Sequence, residues 1–378
     1  VRKRFEALAA MDRNTSIYLD AVRFAAALAV LLSHVEGGWV PGIMPAMAHL
    51  GLEAVAVFFV LSGFVIGYAT TTRERDAGTY AINRAARLYS VVVPCLALTV
   101  VLDMIGHHWH LAPYQLDWTH DWGTAKEPLK AGFSLLFLNE IWGWGMLPGS
   151  NLPFWSLAYE VPYYVIFGLA LFLPRALGLA RAWGVALAAV ALAVAGPAIA
   201  ALFPIWLLGL ALYHAGQRVR LSQLTARALG AGAILAWLGT EWLRWHYRWG
   251  WDAPILMGWS TMWHFYLVAP LFAATILAVR DAGLDLGPIA GPVRWCAGAT
   301  FTLYLVHFPV AHFLSAFIPQ TWPGWGQWAA IVLPTLAVAF LLAAVTERKK
   351  GAWRQAMLWG ARQLSVSVRT PVTPEPVG

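Results

Sequence analysis

Charge is scarce in this sequence: Asp, Glu, Lys and Arg make up 12% of 378 residues, against about 25% in soluble globular domains. That shortage excludes a conventional water-facing surface. Cysteine is scarcer still, with Cys95 and Cys296 alone, both in or beside apolar stretches. They read as buried thiols, which excludes a disulfide framework and argues for no metal centre. No repeat of about 20 to 50 residues is visible, so solenoid and propeller architectures drop out. What remains is strongly apolar, with 60% hydrophobic residues and a mean hydropathy of +0.60. This is the composition of a polytopic membrane protein. The net charge of +7 comes from short basic clusters between apolar runs, as the positive-inside rule requires, so no nucleic-acid partner is implied.

Hydropathy and the basic clusters predict an all-α bundle of about ten transmembrane helices with both termini cytoplasmic. The spans fall near residues 18–35, 52–71, 88–105, 151–174, 183–201, 203–213, 229–245, 260–279, 297–318 and 328–345. The fifth and sixth are expected to meet in a hairpin at Pro204. A short interfacial helix holding Arg84 and Arg87 is expected to run into the third. Arg2, Lys3, Arg4 and Arg13 precede the first span, whose apolar run is too long for a signal-peptide core, so that helix is expected to be retained. Three regions result: a basic cytoplasmic segment at 1–17, a transmembrane domain at 18–346, and a cytoplasmic tail at 347–378, disordered from about 365. Residues 107–150 read as an outer loop dipping into the interface, because their apolar part at 133–141 is too short to cross. Its His107, His108, His110 and His120 lack a matched carboxylate or Cys pair, so no metal is expected there. Many of the 22 Trp residues, including Trp39, Trp118, Trp122, Trp142, Trp144, Trp249, Trp251, Trp322 and Trp325, fall at the outer side. An interfacial belt explains aromatic residues at a membrane surface, and a stacking surface for sugar rings explains the outer bias.

The first span carries Asp20, Arg23 and His34, and charge inside a span is costly. Arg23 and His34 are eleven positions apart, which puts them within about 20° on one helix face and about 16 Å apart along it. Two readings stand here. Either Asp20 and Arg23 form an interfacial pair while His34 marks the helix exit, or all three belong to a polar site. In the fourth span Ser156, Glu160 and Tyr163 recur at i, i+4 and i+7, and Pro162 cannot donate to the carbonyl of Ala158, so a kink is expected beside Glu160. In the ninth, Thr300, Tyr304 and His307 repeat the pattern. With Glu53 at the outer start of the second span, His34, Glu53, Glu160 and His307 are expected to converge in the outer half. Arg84 and Arg87, three apart, share a face at the inner surface.

This layout suits transfer from acyl-CoA. Such a donor carries several phosphates, which an Arg pair at the inner mouth can clamp. A histidine near the outer face, polarised by a carboxylate, can take the proton from an acceptor hydroxyl as it attacks the thioester.

The sequence also resembles the acyltransferase-3 family of integral membrane O-acyltransferases. The resemblance lies in LDAVRFAAALAVLLSH at 19–34, GLEAVAVFFVLSGFVI at 51–66, NRAARLYSVVVP at 83–94, FWSLAYEVPYYV at 154–165 and YLVHFPV at 304–310. It implies transfer of an acyl group, often acetyl, from cytoplasmic acyl-CoA to a hydroxyl of an extracytoplasmic glycan or glycosylated small molecule. On that pattern His34 matches the family's essential histidine, Arg84 and Arg87 its donor-side pair, and Trp155, Ser156 and Glu160 its W-S-L-x-x-E signature. Glu53 stands where many relatives have Asp. Catalysis is thus expected of His34 and Glu160, donor binding of Arg84 and Arg87, and support from Asp20, Arg23, Glu53, Trp155, Ser156, Tyr304 and His307. No permanently bound cofactor is expected; acyl-CoA is a co-substrate. The bacterial inner membrane, beside the cell-envelope polysaccharides such enzymes modify, is the expected location. The esterase-like outer domain of some relatives has no counterpart in these residues, so transfer is expected to finish in the membrane domain or with a partner. A transporter is the rival reading, since Pro-broken helices with polar faces also line substrate pathways. A silent scaffold in a glycan-assembly complex is the third.

Overall fold

The computed structural model describes residues 11–115, 126–247 and 259–368. Among them every regular element is helical: α1 (Arg13–His34), α2 (Leu50–Thr72), α3 (Ala77–His108), α4 (Lys126–Leu135), α5 (Leu157–Leu177), α6 (Arg181–Ala195), α7 (Pro197–Gly216), α8 (Gln223–Tyr247), α9 (Trp259–Asp281), α10 (Ala290–Ala297), α11 (Thr300–Ser315), α12 (Gly324–Val345) and α13 (Lys350–Val368). Seven helical segments among the described residues are long and apolar enough to cross a bilayer, or eight if α10 and α11, bent by 46°, form one broken span. The expected ten fall to that number for two reasons. The 15 residues of α6 are short of the roughly 20 a crossing needs. The 25-residue α8 has the length but carries Arg227, Glu241 and Arg244.

Local chemistry sets the helix ends. Asp12 accepts from Thr15 N at 3.0 Å and Asp76 from Thr79 N at 2.8 Å, capping α1 and α3. Between α6 and α7 the chain turns at Gly196, whose φ of 101° favours glycine, and Pro197 opens the next helix. The hairpin expected at Pro204 therefore lies earlier. Pro204 sits inside α7, where the bundle tolerates it. The interfacial helix and third span are one 32-residue helix, α3, running through Pro94. Likewise α5 continues through Pro162. The tail expected to lose order near 365 is helical to Val368; its remainder, like Arg2, Lys3, Arg4, Trp118, His120, Trp122, Trp249 and Trp251, lies outside the described residues.

The hub of the bundle is α2, which packs on α1, α7 and α9. Its crossing with α7 brings backbones together. A Cβ on Gly63 would lie 1.9 Å from the Trp206 carbonyl oxygen, and one on Gly209 1.9 Å from that of Val60. Small residues permit this approach, and close packing replaces the hydrophobic drive that helices in lipid lack. Trp206 is fully buried at the crossing. Around the outside, Val101, Val190, Leu235 and Leu341 are each more than half exposed, as lipid-facing side chains should be. This is a multi-pass membrane protein. Its basic helix ends gather at one side through long-range bonds: Asn14 Nδ2 donates to Leu284 O at 2.7 Å, Arg220 pairs with Asp281 at 3.3 Å, and Arg348 Nη2 donates to Trp295 O at 3.0 Å.

Candidate active site

A cavity opens between α1, α2, α3, α5 and α11, and its wall includes Arg23, Arg84, Arg87, Ser156, Glu160 and Tyr304. Three cations from two helices thus share one space. Each is held differently. Arg84 donates from Nη2 to Glu74 Oε1 at 2.6 Å, and its Cζ lies 5.9 and 5.8 Å from the ring centres of Tyr80 and Tyr164. Arg23 pairs with Asp20 at 3.3 Å, one helical turn away. Arg87, half-buried in the same wall, has neither ion pair nor side-chain hydrogen bond among the described residues.

Glu160 enters this cavity on a hydrogen-bond chain rooted in the core. Trp206 Nε1 donates to Ser62 Oγ at 3.1 Å, Ser62 donates to the Tyr164 hydroxyl at 3.0 Å, and Tyr164 donates to Glu160. The sequence stripe Ser156–Glu160–Tyr163 therefore divides. Tyr163 is fully buried and donates to Ile199 O at 2.8 Å, toward α7. Ser156 lies in the 3₁₀ turn Leu152–Ser156 ahead of α5, and its hydroxyl sits 2.7 Å from that of Tyr304. Trp155 is half-buried and packs edge-on against Tyr159.

From Tyr304 the polar path reaches two imidazoles. The Tyr304 and His307 ring centres are 6.0 Å apart, and His307 Nε2 lies 3.2 Å from His34 Nδ1. Backbone carbonyls assign the tautomers. His307 Nδ1 is 2.8 Å from Tyr304 O, and His34 Nδ1 is 2.9 Å from Val30 O. A carbonyl only accepts, so each Nδ1 carries a proton. His307 then offers an unprotonated Nε2 to the Nδ1–H of His34, and His34 keeps its own Nε2 as the basic nitrogen. His307 is completely buried, whereas His34 is half-buried.

Glu53 is not part of this pair. It is buried and accepts from Trp237 Nε1 and Arg244 Nη1, each at 2.6 Å, with His264 Nε2 3.0 Å away. The expected convergence of Glu53 with His34 is corrected because Glu53 and Val57 face α8 and α9, while Val55, Phe58 and Ser62 face the cavity. Ligand atoms of Glu53, Glu241 and His264 lie within 4.8 Å of one another, close enough to hold an ion. Arg244 Nη1 reaches all three, at 2.6, 3.2 and 2.7 Å. A guanidinium already pairs with both carboxylates of the cluster.

Sequence reasoning missed five buried carboxylates among the described residues, Glu36, Glu74, Asp103, Glu127 and Glu140. Glu74 fixes Arg84. Glu36 accepts from the backbone N of Gly42, Ile43 and Met44 at 2.5, 3.2 and 2.8 Å, closing the loop after His34. Asp103 accepts from Ser150 N at 2.9 Å and Ser150 Oγ at 2.6 Å. The cost of a carboxylate within a span was the available signal for Asp103; Glu36 and Glu74, just outside spans, gave none.

A cation-lined cavity and, beyond its Tyr304 wall, a pair of imidazoles inside one membrane bundle suit group-transfer chemistry. The comparison with known families agrees: a model described as an acyltransferase domain matches residues 16–344, and the chain belongs to that family, acyltransferase-3. Among curated proteins it is similar to "Acyltransferase MdmB" of Streptomyces mycarofaciens, at 29% identity over 194 residues, covering 49% of this chain and 47% of that one. The match spans about half the length of that relative. No solved structure matches.

Proposed function

We propose that this enzyme moves an acetyl group from cytoplasmic acyl-CoA to a hydroxyl of an extracytoplasmic glycan or glycosylated small molecule, at a bacterial inner membrane. The observation that carries the reading is one cavity wall shared by Arg87, Glu160, Ser156 and Tyr304, with the Tyr304 ring centre 6.0 Å from that of His307, which meets His34. At its basic end, Arg87 is free to take a donor phosphate without first breaking an ion pair, and Arg84 and Arg23 add charge. The basic end is the cytoplasmic one, where acyl-CoA is made. The pantetheine arm extends along the cavity, with its thioester toward Tyr304. The acceptor hydroxyl attacks the thioester carbonyl carbon while His34 Nε2 takes its proton. As the carbon–sulfur bond breaks, the thiolate leaves and is protonated by the His34 imidazolium. The Ser156–Tyr304 hydroxyl pair supplies hydrogen bonds to the developing oxyanion. Glu160, held by Tyr164, favours the positive charge that accumulates on the imidazole during the step.

The purified protein should release free CoA from acetyl-CoA only when acceptor is present. A carrier would release none. Mass spectrometry of surface glycans from a deletion strain and its complement identifies the acceptor; unchanged acylation in both would sink the glycan assignment.

A further inference from the structure

The matched family segment ends at residue 344, and residues beyond that end bond to the cavity wall. After α12 the chain makes a 3₁₀ turn at Glu347–Lys349 and enters α13. Glu347 Oε2 accepts from Phe301 N at 3.0 Å and Thr302 N at 3.1 Å, at the start of α11. Thr300 and Phe301 belong to the cavity wall. Further along, Arg354 Nε donates to Asn83 Oδ1 at 2.7 Å, and Asn83 Nδ2 donates to Glu74 Oε1 at 3.0 Å. That is the oxygen that holds Arg84. The segment is therefore tied to the cavity at two points, one on α11 and one through the donor-side arginine itself.

Lys350 sits between these ties. It is three residues after Glu347 and four before Arg354, so on α13 it shares a face with Arg354. It feels the charges of Arg87, Glu347, Arg23 and Arg84, and its side chain is exposed. Of the cations Arg23, Arg84, Arg87 and Lys350, Arg23 is paired with Asp20 and Arg84 with Glu74, whereas Arg87 and Lys350 have no ion pair among the described residues, and a polyphosphate supplies an anion for both.

We propose that Lys350 is an additional donor-binding residue, contacting a phosphate of acyl-CoA, and that Arg354 and Asn83 are positioning residues that fix α13 and Arg84 around it. The inference rests on the acyl-CoA reading above. Pantetheine donors lacking the nucleotide give it a clean control.

The test uses the full chain in neutral detergent, with CoA binding by calorimetry and kinetics on acetyl-CoA and on acetyl-pantetheine. Lys350→Ala should weaken CoA binding and raise KM for acetyl-CoA about tenfold, as loss of one charge-assisted contact does. Its kcat at saturating donor should hold, and its acetyl-pantetheine KM should match wild type. Lys350→Arg should restore the acetyl-CoA KM. Arg354→Ala, on an exposed residue, should give the same split at about threefold. It is the second variant if Lys350→Ala fails to fold. Wild-type CoA affinity in both alanine variants overturns the inference while leaving the acyl-CoA reading intact. A wild-type protein that neither binds CoA nor cleaves acetyl-CoA overturns the reading and the inference together. A Lys350→Ala effect confined to bilayers containing anionic lipid assigns the lysine to a headgroup phosphate and also overturns it.

Discussion

The decisive perturbation contrasts the two histidines. If His34 Nε2 is the general base, His34→Gln removes proton transfer while keeping volume and polarity, a loss of about 10² to 10⁴ in rate, or about 3 to 5 kcal/mol in the barrier. His307 contributes one neutral hydrogen bond, its Nε2 accepting from His34 Nδ1 at 3.2 Å. Such a bond is worth about 0.5 to 1.5 kcal/mol, so its loss should cost about 2- to 13-fold. The smaller cost follows because Val30 O, at 2.9 Å, holds the Nδ1 proton even when His307 is gone. His307→Leu should therefore retain measurable turnover, and His307→Gln, which still offers an acceptor oxygen, should be nearer wild type. The assay is acceptor-dependent CoA release by purified protein, with CoA binding measured alongside to separate chemistry from donor affinity. Near-normal turnover in His34→Gln removes His34 from the chemistry. A His307→Leu enzyme as inactive as His34→Gln would show that His307 itself carries a proton in the reaction, and the tautomer argument would fail.

The two donor-side arginines should separate by stability. Arg84→Ala strands the buried carboxylate of Glu74, which should cost about 3 kcal/mol of stability and lower the melting temperature in detergent. Arg87→Ala strands nothing, so it should leave melting unchanged while raising donor KM about tenfold. At the α2–α7 crossing, Gly209→Ala forces a methyl against Val60 O and should destabilise by about 3 kcal/mol or more. Gly232→Ala on α8, with nothing within 4 Å of the new Cβ, should instead be neutral or stabilising; monodisperse yield on size exclusion distinguishes them. Glu140, in the loop between α4 and α5, is buried, and burial pushes its carboxyl up to about 7. Folding then favours the protonated form, so stability should fall as pH rises from about 4.5 to 7, by up to about 3 kcal/mol. Glu140→Gln should flatten that slope; an unchanged slope would assign the pH dependence elsewhere.

That the chain is helical and membrane-embedded was legible in the sequence, because hydropathy and charge clustering are properties of consecutive residues. So was the sharing of helix faces. Thr300, Tyr304 and His307 do fall on one side of α11, and Arg84 and Arg87 do line one cavity wall from α3, since a period of about 3.6 residues is carried in the spacing alone. A face, however, does not name its neighbour. Glu53 and His34 both pointed toward the outer half on sequence grounds, yet Glu53 turns to Arg244 and His264, 191 and 211 residues away. His34 meets His307 across 273 residues. Those pairings depend on how α2 is rotated between α1, α7 and α9, which the contact of Gly63 and Gly209 with facing backbones fixes. Backbone dihedrals were equally hidden. Proline suggested a hairpin at Pro204, but the positive φ of Gly196 made the turn, because a bundle can accommodate a proline inside a helix more readily than a side chain in the left-handed region. Which polar groups met was settled by the packed bundle and by nothing local, because burying a charge in a bilayer is tolerable only where a partner from another helix arrives.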